Sequence, residues 1–229
     1  MRALSCGAVL ILLGGFATQA GAQYARYSDS YAYGPRGPLQ WHVMGGAAVT
    51  TGQTADYLDS GWTVGGGLTF RPEPAAPFSL RADVTFSRFN ATNNLLQLGA
   101  EQNQTQIDDG WGDVVNFDLD GVLDIPLGAR ARVYVMAGVG GAYRRIDLTQ
   151  TVGFGGYYCD YWYGYCGVGI VPGDVLVQRE ETTRFAWNAG AGIEFPLYNG
   201  QSWFIEARYN RMETPQPTEF IPIRVGFRF

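Results

Sequence analysis

Lysine is absent from this chain: all 16 basic residues are arginine, set against 21 acidic ones. The formal charge of −5 leaves no electrostatic footprint for nucleic acid, so a nucleic-acid partner is not expected. Histidine occurs once, at His42, and cysteine three times. Chemistry that relies on several histidines or a thiolate cluster therefore lacks its side chains. No apolar run of about 18 residues follows the amino-terminal segment, which excludes a membrane-spanning helix in the remainder. What the chain does have is glycine, 32 residues, and aromatics at 14%. Its 229 residues suit one or two domains. Glycine and aromatics in this proportion suit a β-barrel of many short strands.

The amino terminus reads as a secretory signal over residues 1–22. Arg2 is the charged region, Ala8–Leu13 starts the apolar core, and Ala20-Gly21-Ala22 is an A-x-A cleavage site. Cleavage there removes Arg2 and leaves 15 basic against 21 acidic residues, net −6. Leu4-Ser5-Cys6-Gly7 precedes the apolar core, which is the wrong order for a lipidation site. Cys6 leaves with the signal, so Cys159 and Cys166 remain as a pair in an oxidising compartment, where a disulfide is expected. Residues 23–39 are polar and tyrosine-rich, with Pro35 and Pro38, and read as a periplasmic lead-in.

Residues 40–229 hold eight segments of period-two alternation, the signature of strands with one apolar and one polar face. They lie at about 40–51, 61–70, 78–90, 111–125, 131–147, 182–196, 202–212 and 220–229. In the third, Phe78, Leu80, Ala82, Val84 and Phe86 alternate with Ser79, Arg81, Asp83, Thr85 and Ser87. In the last, Ile221, Ile223, Val225, Phe227 and Phe229 alternate with Arg224, Gly226 and Arg228. Residues 91–110 and 148–181 read as loops, the second being the longest, and Asn199-Gly200 marks a tight hairpin. Turns and longer loops alternate along the chain. Aromatics cluster at both ends of the apolar faces: Trp41, Phe70, Phe78, Phe195 and Trp203 at one, Trp62, Phe86, Phe185 and Tyr209 at the other.

Together, the signal segment, the eight alternating strands and the terminal Phe227-Arg228-Phe229 resemble the small bacterial outer-membrane β-barrels of the OmpA, OmpX and opacity type. That resemblance implies an all-β fold, an eight-stranded antiparallel up-and-down transmembrane barrel in the outer membrane. It also implies outer-membrane lipid and lipopolysaccharide as surroundings. Phe227 and Phe229 would be the carboxy-terminal signal read by the barrel assembly machinery. A soluble lipocalin-like barrel is the alternative; its apolar residues would face inward.

Eight strands enclose a space just wide enough for side chains. Walls four strands apart face each other, so Arg81 and Asp83 should meet Glu206 and Arg208, and Asp118, Asp120 and Asp124 should meet Arg224 and Arg228. Small residues such as Gly46, Ala48, Gly138, Gly190 and Gly192 make room on the other walls. Buried charges are costly unless paired, so a lumen plugged by these charges is expected, with a narrow porin-like channel or small-ligand conduit as the alternative.

Loop 148–181 carries Tyr157, Tyr158, Tyr161, Trp162, Tyr163 and Tyr165 around the two cysteines. Such rings give large contact area at low entropic cost, so contact with a host or cell-surface partner competes with a plain stabilised loop. A lipid-A-modifying enzyme is less expected: it would need a histidine at the outer leaflet, and His42 sits at the opposite end and on the inner face. Asp108, Asp109 and Asp113 could bind divalent cations that bridge lipopolysaccharide, or form a solvated acidic loop. Nothing in the pattern calls for a catalytic residue, a cofactor or a resident metal. One expectation is tested directly: intact-mass analysis of the protein isolated from membranes should give a mature chain starting at Gln23, and a start elsewhere contradicts the cleavage assignment.

Overall fold

A period-two apolar face can be buried only if the chain is extended, and strands surrounded by apolar material can leave no edge unpaired. Both demands are met by a closed sheet. The structure is a computed structural model and describes residues 38–229 apart from 74–75, 128–130, 161 and 198–199. Eight strands form the barrel: β1 (Leu39–Thr50), β2 (Gly61–Phe70), β3 (Phe78–Asn90), β4 (Asp109–Pro126), β5 (Arg132–Asp160), β6 (Tyr165–Pro196), β7 (Ser202–Met212) and β8 (Thr218–Arg228). Each pairs antiparallel with its sequence neighbours, and β1 pairs with β8. Trp41 N donates to Phe229 O at 3.0 Å and Phe229 N to Trp41 O at 2.9 Å, which fastens the last residue to the first strand.

The alternation sorts the faces as the sequence indicates. Phe117 and Leu119 are 56% and 57% exposed, whereas Asn116, Asp118 and Asp120 between and beside them are buried. The apolar rows therefore point out and the polar rows in, the reverse of a lipocalin. Aromatic pairs cap both ends of the outer belt: Phe195 stacks on Trp203 at 4.3 Å, and Trp62 meets Phe86 at 5.4 Å.

Two segments depart from expectation. Residues 148–181 are no loop: β5 and β6 continue as one ribbon, paired from Arg132↔Glu194 to Asp160↔Tyr165. A register shift between Leu148 and Thr149 marks where β5 leaves β4, whose own pairing ends at Asp109↔Thr149. At about 3.3 Å per residue, the stretch Gln150–Asp160 reaches roughly 35 Å beyond that point. Within 91–110, a helix α1 (Asn93–Asn103) forms and β4 already begins at Asp109. The helix packs Leu95 onto a buried cluster at that end of the barrel.

The signal segment, its cleavage point and the lead-in through residue 37 lie outside the described residues, as do Tyr161 and Asn199. Register places Leu119 beside Ala82, midway between the two aromatic rings, so it samples the middle of the belt. Replacing Leu119 by Arg should cost about 2–4 kcal/mol of folding free energy in a bilayer. A urea titration followed by heat-modifiable gel migration measures this, and an unchanged midpoint would contradict the outward assignment.

Candidate functional site

The inner face is built from residues at alternate positions of all eight strands. Arg81 on β3 donates from Nη1 to Glu206 Oε2 on β7 at 2.8 Å. Arg208 on β7 donates to Asp83 on β3 and to Asp120 on β4, both at 2.8 Å. Arg224 on β8 lies 2.8 Å from Glu206, its register partner on β7. The side chains of Arg81, Asp83, Asp120, Glu206 and Arg208 are 0% exposed. Charges removed this completely from water must be paired, and here two arginines and three carboxylates from three strands interlock.

Tyrosine, asparagine and histidine side chains add contacts to the same carboxylates. Tyr134 OH donates to Glu206 at 3.0 Å, Asn188 Nδ2 donates to Asp120 at 2.8 Å, and His42 Nε2 lies 2.7 Å from Asp83 Oδ1. His42 is thus a member of the network. Nearer the chain termini is a second group, in which Arg228 donates to Glu194 at 2.7 Å and Arg132 to the same carboxylate at 3.3 Å. Arg71, just beyond β2, pairs with Asp124. Phe204 stands between the two groups, with the guanidinium carbons of Arg81 and Arg228 each 5.4 Å from its ring centre. A Cβ at Gly226 would run into that ring, and one at Gly192 into Tyr134, so both positions must stay bare.

The expected facing of Arg81 and Asp83 with Glu206 and Arg208 is the one seen. The expected facing of Asp118, Asp120 and Asp124 with Arg224 and Arg228 is not. Asp120 goes to Arg208, Asp124 to Arg71, and Asp118 lies 3.9 Å from Arg208, while Arg224 and Arg228 take Glu206 and Glu194. Strands in a barrel tilt and stagger, so residues on opposite strands need not share a height. Glu194 and Arg71 were within reach of sequence reading: one occupies an inward position of its strand and the other continues the inward row through Thr69.

The lumen also holds an apolar layer that the alternation does not mark. Phe89, Phe220, Val114, Met212, Ala48 and Ala142 point inward and pack together under Leu58, at the end of the barrel that carries α1. Phe89 and Phe220 meet edge to face at 5.2 Å. From the terminal end upward the lumen thus holds ion pairs, Phe204 and Tyr134, the central network, and an apolar cap.

On the outside, just beyond the upper aromatic ring, ion pairs run from strand to strand. Arg88 and Arg145 meet Asp113 at 2.7 and 3.2 Å, and Arg179 meets Asp147 at 2.7 Å. Asp113 is thereby engaged by arginine. Asp108 accepts from Thr151 N and Asp109 from Gly110 N, so the three acids serve different partners. No group of three or more metal-ligating side chains converges among the described residues.

The ribbon ends in a Cys159–Cys166 disulfide between register partners. Beside it Trp162 and Tyr163 are 90% and 82% exposed, and Tyr157 and Tyr165 are exposed too. Asp160 Oδ1 accepts from Trp162 N and Tyr163 N, which shapes the turn. The side chains of Tyr158 and Tyr161 lie outside the described ones. Phe227 and Phe229 face outward with rings 6.3 Å apart, beside Trp41 and Trp203 of the flanking strands.

The burial contrast yields a stability prediction. Replacing Glu206 by Ala should cost about 3–5 kcal/mol, because Arg81 and Arg224 lose their partner in a dry interior. Replacing Glu213, whose pairing with Arg211 is exposed, should cost less than about 1 kcal/mol. Urea unfolding of the two variants measures both, and equal small effects would contradict a dry network.

Comparison with known proteins supplies the lineage. The family model described as "Outer membrane protein beta-barrel domain" matches residues 8–229. A major outer membrane protein from Thermus thermophilus superposes with a TM-score of 0.52 at 14% identity, covering 83% of this chain and 98% of that one. Neisserial surface protein A gives 0.50 at 11% identity, covering 84% and 96%. At such identities the likeness concerns the fold. The comparison with curated proteins gives no match.

Proposed function

We propose, from the premise that this chain belongs to the outer-membrane protein β-barrel family, that it is a non-enzymatic membrane protein with a charge-plugged lumen, acting through the surface it presents outside the cell. Its place is the bacterial outer membrane. The observation that carries the plug is the cross-lumen pairing of Arg81 with Glu206 and of Arg208 with Asp83 and Asp120, every side chain 0% exposed. The Phe89–Phe220 cap above it adds a layer that water and ions have no reason to enter. A porin-like conduit would need a continuous polar path, and neither Phe204 nor the cap provides one.

The contact role falls to the ribbon. From Thr151 to Gln178 its only charged residues are Asp160 and Asp174. Phe154, Tyr157, Val168, Ile170 and Trp162 are exposed well above the apolar belt. Side chains that meet neither lipid nor a core favour a partner surface on a host or neighbouring cell. Lipid and lipopolysaccharide surround the belt, and the terminal Phe227 and Phe229 suit recognition by the assembly machinery. The signal peptide over 1–22 and the lead-in over 23–39 belong to this reading.

Planar-bilayer recording tests the plug: purified protein should give no steady openings, and stable large conductance overturns it. Cell-binding assays test the ribbon. Removing residues 153–170 should abolish attachment while leaving heat-modifiable migration unchanged, and undiminished attachment would rule the ribbon out as the contact element.

A further inference from the structure

At the outer mouth of the barrel, away from both the central network and the ribbon tip, lies a cavity of about 250 Å³. It opens between α1, the segment joining β1 to β2, the bases of β5 and β6, and the segment joining β7 to β8. We propose that it binds one neutral pyranose ring, the terminal unit of a glycan. The chemistry of the wall selects such a ligand.

Four glutamines from four different segments line the cavity: Gln53, Gln102, Gln178 and Gln216. Gln178 accepts a hydrogen bond from Asn103 Nδ2 at 2.7 Å. Among the described residues no hydrogen bond engages the side-chain amides of Gln53, Gln102 or Gln216. An amide offers donors and an acceptor side by side. A hydroxyl group, both donor and acceptor, satisfies it fully, and a ring bearing several hydroxyls can satisfy several amides at once.

Charge points the same way. The two charged lining residues, Arg144 and Glu180, meet at 3.1 Å and cancel. A second arm of Arg144 donates to Thr218 at 2.8 Å and is held in place. An anionic or cationic ligand would find no unmatched partner. Apart from Thr54 and Thr218, whose hydroxyls are already hydrogen-bonded, the rest of the wall is largely apolar and suits the C–H face of a sugar ring: Leu98 is 49% exposed on α1, and Pro217 and Tyr57 also line the space. The volume is below that of sites for drug-sized molecules, which leaves room for one ring. This reading is independent of the plug, since the cavity sits outside the apolar cap.

The test uses the folded full-length chain in an amine-oxide detergent, so that the micelle carries no sugar headgroup. Saturation-transfer NMR with glucose, galactose and mannose should show transfer to ring protons, with glucuronate and hexanoate giving markedly less. Changing Gln102 and Gln216 together to Leu should weaken hexose binding roughly tenfold, the loss of about two hydrogen bonds. Both residues are exposed, and unaltered heat-modifiable migration would show that the barrel is intact. Leu98→Trp, which narrows the cavity from the helix, is a second variant with the same expected loss. A neutral outer-core oligosaccharide released from lipopolysaccharide and a neutral host-type oligosaccharide are then compared, and the tighter binder identifies the source. Absence of transfer from every neutral hexose, equal transfer in the variants, or binding of hexanoate alone overturns the proposal.

Discussion

In hydrocarbon no water is available to satisfy a peptide group, so each backbone N–H and C=O must find its partner within the protein. The rest of the structure follows from that constraint. A sheet meets it only by closing, and here closure is made by β1 against β8, ending in the reciprocal bonds of Trp41 and Phe229. Closure then imposes two environments on a chain whose side chains alternate. One face meets lipid and must be apolar. The other meets a narrow axis and must either solvate itself or fill it.

In this chain charged side chains meet across the axis, and the way they do so accords with its composition. Long arginines reach across to carboxylates on distant strands, and glycines beside them on adjacent strands, such as Gly190 next to Arg208 and Gly46 next to Arg224, leave them room. Absence of lysine is consistent with such a lumen: a planar fork of donors can hold two or three acceptors in a fixed geometry, as Arg208 does with Asp83 and Asp120. Above the network the lumen turns apolar. Beyond the upper aromatic ring the outer wall turns ionic, with Arg88, Asp113 and Arg145 joined across β3, β4 and β5. The two faces thus exchange character near one height, where lipid chains would give way to headgroups.

Much of this is legible in the sequence itself. The bounds of β2, β3 and β7 could be read from alternation alone, because each has one face against lipid and one against the axis. The same logic explains the failures. Above Thr149 the ribbon has no barrel behind it, both faces are open, and Gly153, Gly155, Gly156, Gly167 and Gly169 replace the apolar row. No burial contrast remains to produce a period-two signal. Helix α1 was hidden by its asparagines and glutamines, and its few leucines find a face only once the barrel mouth exists. The partners of Asp118, Asp120 and Asp124 depend on stagger between strands, which local sequence does not encode. The glutamine-lined cavity assembles from five separated segments and has no signature in the sequence.

Everything described here turns on the direction of the two faces, apolar rows toward lipid and ionic rows toward the axis. Ala82 and Val139 flank Leu119 on neighbouring strands, both outward and near mid-belt. Nitroxide labels at these two positions in a reconstituted bilayer, relaxed by oxygen and by a water-soluble nickel chelate, test it most directly. Outward-facing labels should collide strongly with lipid-dissolved oxygen and almost never with the chelate. Strong collision with the chelate, or with neither, would place these residues in water or in a packed core and contradict that direction.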